Sequence, residues 1–336
     1  MTRNLHFVGS VKLEDPTAVF TALGEHVGEL APRYPDGETG ERENWLGWQQ
    51  AVFANHADLE PVDHGDDYVG LLQFRPRAGV DPATIEFTDI GYARVALASY
   101  GDFRRLRDAG VVPSGTRFQV SLPTPLAVMA MFIDPAFAGV LEPAYDAAMT
   151  RDLRVICAGV PAGDLAIQWD ICIEVTAYDG GRPLHEPDPL GHASATAARM
   201  MELTDDDTET GVHLCYGDAG HKHIIEPHDL ATSVAFANSI TASSLRSLAW
   251  VHMAVPRDRD DEAYFEPLDG LAIADAELML GLLHLTDGID GAQRRIAAAE
   301  HTTADFGLAT ECGFGRRPLD TIPDLLDLHA DAARRA

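Results

Sequence analysis

One apolar run of the chain ends in His213-Leu214-Cys215, and another, almost a hundred residues later, ends in Cys312. Thiolate and imidazole donors favour zinc over magnesium or calcium, and two Cys with one or two His suit a tetrahedral site that keeps an exchangeable position. Zinc lowers the pKa of a bound thiol, so a substrate thiolate can exist at neutral pH and attack an alkyl donor. Buried His and Cys are also ordinary packing groups in strands. The placement of the three residues therefore decides between the two readings.

Other residues carry chemistry of a less specific kind. Asp170 ends a buried run, with Glu174 just beyond it. A carboxylate there can bind a substrate amine or hydroxyl or act as a general acid, or it can cap a helix or pair with an arginine. The segment Asp36-Gly37-Glu38-Thr39-Gly40-Glu41-Arg42 combines two glycines with acids and a base. Its turns can bring Asp36, Glu38 and Arg42 onto a ligand, with Trp45 and Trp48 as pocket walls, although a solvated surface turn has much the same composition. His284, near Asp287, is a candidate to orient the alkyl donor or act as a base. Arg316 and Arg317 can clamp a carboxylate, sulfonate or phosphate, with surface solvation as the competing account. His221, His223, Glu226 and His228 also resemble a metal cluster, but their spacing suits an exposed loop or a pocket lining.

Apolar runs that end in polar, Gly or Pro residues recur at 6–10, 118–123, 165–172, 211–216, 248–255, 278–284 and 306–312. Runs of this continuous kind suit parallel strands covered on both faces. Residues 33–36 supply an eighth, short strand. Helical patterns occupy 15–30, 135–152, 227–244, 261–277, 288–304 and 319–335. This alternation predicts an α/β fold, a (β/α)8 TIM barrel forming a single domain over 1–336, with an insertion at about 59–111. The rival, a doubly wound sheet, is disfavoured because Gly9-Ser10-Val11-Lys12, and no GxGxxG turn, follows the first run. In a barrel the site lies at the C-terminal ends of the strands, where the candidates above fall.

With 336 residues, 46% of them hydrophobic, the chain has ample material for a large core, and its net charge of −28 excludes nucleic acid and anionic membranes as partners. The start of the chain lacks a signal-peptide pattern and no run is long enough to span a bilayer. A cytoplasmic protein is expected. Four cysteines in so long a chain read as packing groups, metal ligands or nucleophiles rather than disulfides.

At these residues the chain resembles the barrel family that includes cobalamin-independent methionine synthase and uroporphyrinogen decarboxylase. His213-Leu214-Cys215-Tyr216 is similar to the zinc-binding His-x-Cys of the methionine synthases, and Glu311-Cys312-Gly313 to their last zinc-ligand turn. Ile167-Gln168-Trp169-Asp170 resembles the strand whose aspartate lies in the methionine pocket, and Gly9-Ser10 matches the turn after the first strand. The resemblance implies a zinc glutamate from residues 248–255, where this chain offers His252 instead. It also implies a short single-barrel relative that transfers an alkyl group to a thiol.

The expected function is zinc-dependent alkyl transfer, methyl foremost, with Zn2+ held by His213, Cys215, Cys312 and His252. Asp170 and His284 would be catalytic, and Ser10, Asp36, Glu38, Arg42, Glu174 and Arg316 would bind substrates. The expected partners are a small-molecule thiol and an alkyl donor, with a homodimer as the candidate assembly. A metal-free decarboxylase or lyase on the same barrel is the first alternative, and a non-catalytic barrel that binds a small ligand or metal is the second.

Overall fold

The computed structural model describes residues 2–62, 71–218 and 222–335. His221 lies outside them. Seven strands form one curled, all-parallel sheet in the order β1 (Arg33–Pro35), β4 (Arg117–Pro123), β5 (Leu165–Ile171), β6 (Glu209–Leu214), β7 (Trp250–Ala254), β8 (Glu277–Leu283) and β9 (Gly307–Thr310). Between β1 and β4 the chain forms α2 (Gln50–Ala54), the antiparallel pair β2 (Leu59–Val62) and β3 (Gln73–Pro76), and α3 (Tyr92–Asp108). The other helices are α1 (Pro16–His26) before β1, α4 (Pro125–Phe132) and α5 (Pro135–Gly159) after β4, and α6 (Ile173–Tyr178) and α7 (Pro189–Met201) after β5. They are followed by α8 (Ala231–Ser243), α9 (Glu262–Phe265), α10 (Gly288–Glu300) and α11 (Ile322–Arg335), which succeed β6 to β9 in turn.

All seven residues of β5 and all five of β7 are buried, as required of strands with side chains packed on both faces. Helix starts follow capping chemistry. Asp15 accepts the Ala18 N–H ahead of Pro16, and Thr124 accepts the Ala127 N–H ahead of Pro125. No helix among the described residues is long and apolar enough to cross a membrane.

Three expectations need correction. Residues 6–10 are not a regular strand. Their neighbourhood instead runs between the two edges of the sheet, held by isolated parallel bridges from Leu5 to Leu308 and from Ser10 to Gly37. The helix expected at 261–277 stops at Phe265 and gives way to a 3-10 turn over Glu266–Gly270, because Pro267 and Gly270 interrupt helical hydrogen bonding. Finally, the supposed insertion at 59–111 contains α3, which packs against α1 and α5 in the helical layer, so only its first part departs from the alternation.

Candidate metal centre

The strand registers bring the histidines together. Asp170 of β5 pairs with His213 of β6, and His213 pairs with His252 of β7. Side chains alternate along a strand, so the pairs at one level share a face. The donor atoms of His213, Cys215 and Cys312 all lie within 4.8 Å of one another. These three residues line one pocket with Ser10, Glu38, Asp170 and Arg316.

The hydrogen bonds around His213 suit it to hold a metal. His252 Nε2 is 3.0 Å from the carbonyl of Thr310, which can only accept, so His252 carries its proton there. Burial holds the pKa of His252 down at about 3, so the ring is neutral and its Nδ1 is an acceptor. That Nδ1 lies 2.6 Å from His213 Nδ1, which must therefore donate. The lone pair of His213 is thus on Nε2, a buried atom without a hydrogen-bond partner among the described residues. Burial, and then His252, push the His213 pKa well below its ordinary value, so nitrogen is kept as a ligand. An acceptor nitrogen beside two thiols is the donor set that zinc prefers. His252, expected as the fourth ligand, has both ring nitrogens engaged and acts instead as the orienting partner of His213.

The thiols are protonated in the absence of a metal. Contact with the Cys172 thiol, then burial, pushes the Cys215 pKa well above its ordinary value, despite an opposing contact with Cys312. Contact with Cys215 and burial do the same to Cys312. All four cysteines are free.

Two carboxyls share the pocket. Burial pushes Asp170 up to about 7, even though its oxygens accept from Gln168 Nε2 at 2.9 Å and Trp45 Nε1 at 3.1 Å. Burial and the charge of Asp170 push Glu38 up to about 8. Glu38 and Trp45 have φ values of 47° and 37°, a left-handed backbone that non-glycine residues rarely adopt, and both line the pocket. Gln168 also accepts from His6, 2.8 Å away, so a buried chain runs from the first segment to Asp170. Trp45 lines the pocket as expected of a wall, Trp48 does not, and His6 and Gln168 were not singled out in the sequence as pocket supports. The step of two from Gln168 to Asp170 was the available signal, since it puts both on one face of β5.

The remaining candidates divide. Asp36 and Arg42 form an ion pair at 2.5 Å, and Asp36 also accepts from Ser99 Oγ at 2.7 Å and from the Glu38 N–H at 3.0 Å. They buttress Glu38 from behind and do not line the pocket. Ser10 lines it, but its Oγ accepts from the Gly315 N–H at 3.3 Å and joins the first and last segments. A Cβ on Gly313 would stand 2.3 Å from that oxygen, which explains the glycine after Cys312. Arg316 reaches the pocket while bonding the Asp218 carbonyl at 3.1 Å. Glu174 is fully buried against Thr124, outside the pocket, and burial pushes it up to about 7.

His284 is also elsewhere. Its Nε2 lies 3.0 Å from the Val255 carbonyl, in a separate cleft shared with His223, Glu311 and Arg317. Asp287 pairs with the buried Arg295 at 2.7 Å, a structural role. His223 lies 2.8 Å from Glu226 and 3.5 Å from Glu311, whereas His228 is almost fully exposed.

No family model and no curated protein sequence matches the chain. Among solved structures it is similar to a B12-independent methionine synthase from Shewanella sp. W3-18-1 in complex with selenomethionine, at 14% identity and a TM-score of 0.51, over 84% of this chain and 75% of that one. It is also similar to a methyltransferase from Methanosarcina mazei, at 11% identity and a TM-score of 0.52, over 98% of this chain and 94% of that one. At these identities the likeness is one of fold.

Proposed function

We propose that the protein is a zinc-dependent alkyl transferase, with methyl as the transferred group, that acts on a small-molecule thiol. The observation that carries this reading is the convergence of His213, Cys215 and Cys312 within 4.8 Å, in a pocket that also exposes Asp170 and Glu38. Zinc held there would supply a Lewis acid that keeps an acceptor thiol in its nucleophilic thiolate form at neutral pH. The fold shared with a methionine synthase and a methyltransferase supports the reading. So does the order of the motifs along the chain. We further read residues 5–11 as the eighth barrel strand, bridged as they are to both sheet edges.

The chain's own residues have separable tasks. His252 fixes the tautomer and orientation of His213. Asp170 and Glu38 are two acids in one buried pocket, so they favour a substrate that brings a positive charge, such as an amine, or they hold a proton between them. Trp45 and Gln168 fix Asp170, while Asp36 and Arg42 fix the strained turn that presents Glu38. Arg316, at the rim, suits an anionic group on either substrate.

Zinc stoichiometry, measured on wild type and Cys312→Ser after metal-free handling and zinc addition, tests the reading. One zinc per chain in wild type, lost in the variant, together with formation of an alkylated thiol only by zinc-loaded protein, is the expected result. Wild type indifferent to zinc would overturn it.

A further inference from the structure

The fourth donor remains to be assigned, since His252 has both nitrogens engaged. We infer, on the reading that His213, Cys215 and Cys312 hold zinc, that Cys172 is the fourth protein ligand of the resting site, giving one imidazole and three thiolates, and that it is the ligand the acceptor thiol displaces. The register of β5 on β6 places Asp170 beside His213 and Ile171 beside Leu214, and Cys172 and Cys215 are the next residues of the two chain segments past that last pair. Both residues lie just past the ends of their strands, and both line the pocket that holds the cluster. Cys172 is 2% exposed and unoxidised. Its thiol is in hydrogen-bonding contact with that of Cys215, which has Cys312 on its other side.

Cys172 stands one contact beyond the three residues whose donor atoms share the 4.8 Å neighbourhood. A thiol moves between staggered rotamers without any change in the backbone, so an ion on Cys215 can recruit it. A competing donor that lines the pocket, the Asp170 carboxylate, already accepts from Gln168 and Trp45. A thiolate is also the softer ligand, and zinc already bound by sulfur favours it.

The test is the sulfur count around zinc, measured by X-ray absorption on the zinc-loaded full chain in thiol-free buffer. Three sulfurs and one nitrogen are expected in wild type, with one sulfur lost in Cys172→Ala and none lost in Cys157→Ala. Two sulfurs in wild type would overturn the assignment of Cys172 and leave the zinc reading intact. Three sulfurs retained in a folded Cys172→Ala would overturn it as well. A wild type that binds no zinc would overturn both. If Cys172→Ala does not fold, the wild-type count decides alone.

Discussion

Asp170 links function to stability in a way that can be measured. Its carboxyl titrates at about 7 in the fold, against 3.8 for an unperturbed aspartate, because of burial. Between those values the native state holds a proton that the unfolded chain has released, so stability falls as pH rises through this window and levels off above about 7. Each pH unit in the window costs about 1.4 kcal/mol, so wild type loses roughly 2 to 3 kcal/mol between pH 5 and pH 8 through this group. Asp170→Asn removes that slope. It also leaves one of two N–H donors, on Gln168 or Trp45, facing an amide nitrogen, a loss of about 1–3 kcal/mol that does not vary with pH. The stability difference between variant and wild type should therefore move by about 2 to 3 kcal/mol in the variant's favour from pH 5 to pH 8. Loss of the Asp170 charge also relieves Glu38, which shifts the difference in the same direction. Urea unfolding of both proteins in metal-free form at pH 5, 6, 7 and 8 reads this out, and turnover of the folded, zinc-loaded variant should fall. Parallel stability profiles would mean that the carboxyl is not held protonated, and the reasoning about the acid pair would fail.

Metal affinity should fall as pH drops, because Cys215 and Cys312 must give up protons that the fold holds above the ordinary thiol range. Two displaced protons correspond to about a hundredfold per pH unit, and a third from Cys172 raises this to about a thousandfold, measured by chelator competition; a flat profile would exclude thiolate ligation. His252→Ala should weaken zinc binding by about 10–100-fold while leaving the three donors in place, and unchanged affinity would show that His213 is held by other means. Gly211→Ala places a Cβ 2.1 Å from the buried Trp250 ring and should cost about 3 kcal/mol, read as a lower urea midpoint or loss of soluble protein. An unaffected midpoint would mean that Trp250 can yield.

Local pattern determined the parts of this protein that depend on one segment at a time. The buried runs at β4 to β9 were legible because parallel strands packed on both faces are apolar throughout. Donor types at strand ends were legible because zinc chemistry restricts them to a few residues. The irregular run at residues 6–10 looked like the other strands, since composition does not report whether a ladder forms on either side. Only the tertiary structure decided which side chains face one another. Register set His252 behind His213, and packing brought the Cys172 thiol against Cys215, sent His284 into a different cleft and turned Asp36 and Arg42 into supports for Glu38. Residues far apart in sequence meet through the packing of separate elements, so the identity of a ligand was written in the chain while its partners were not.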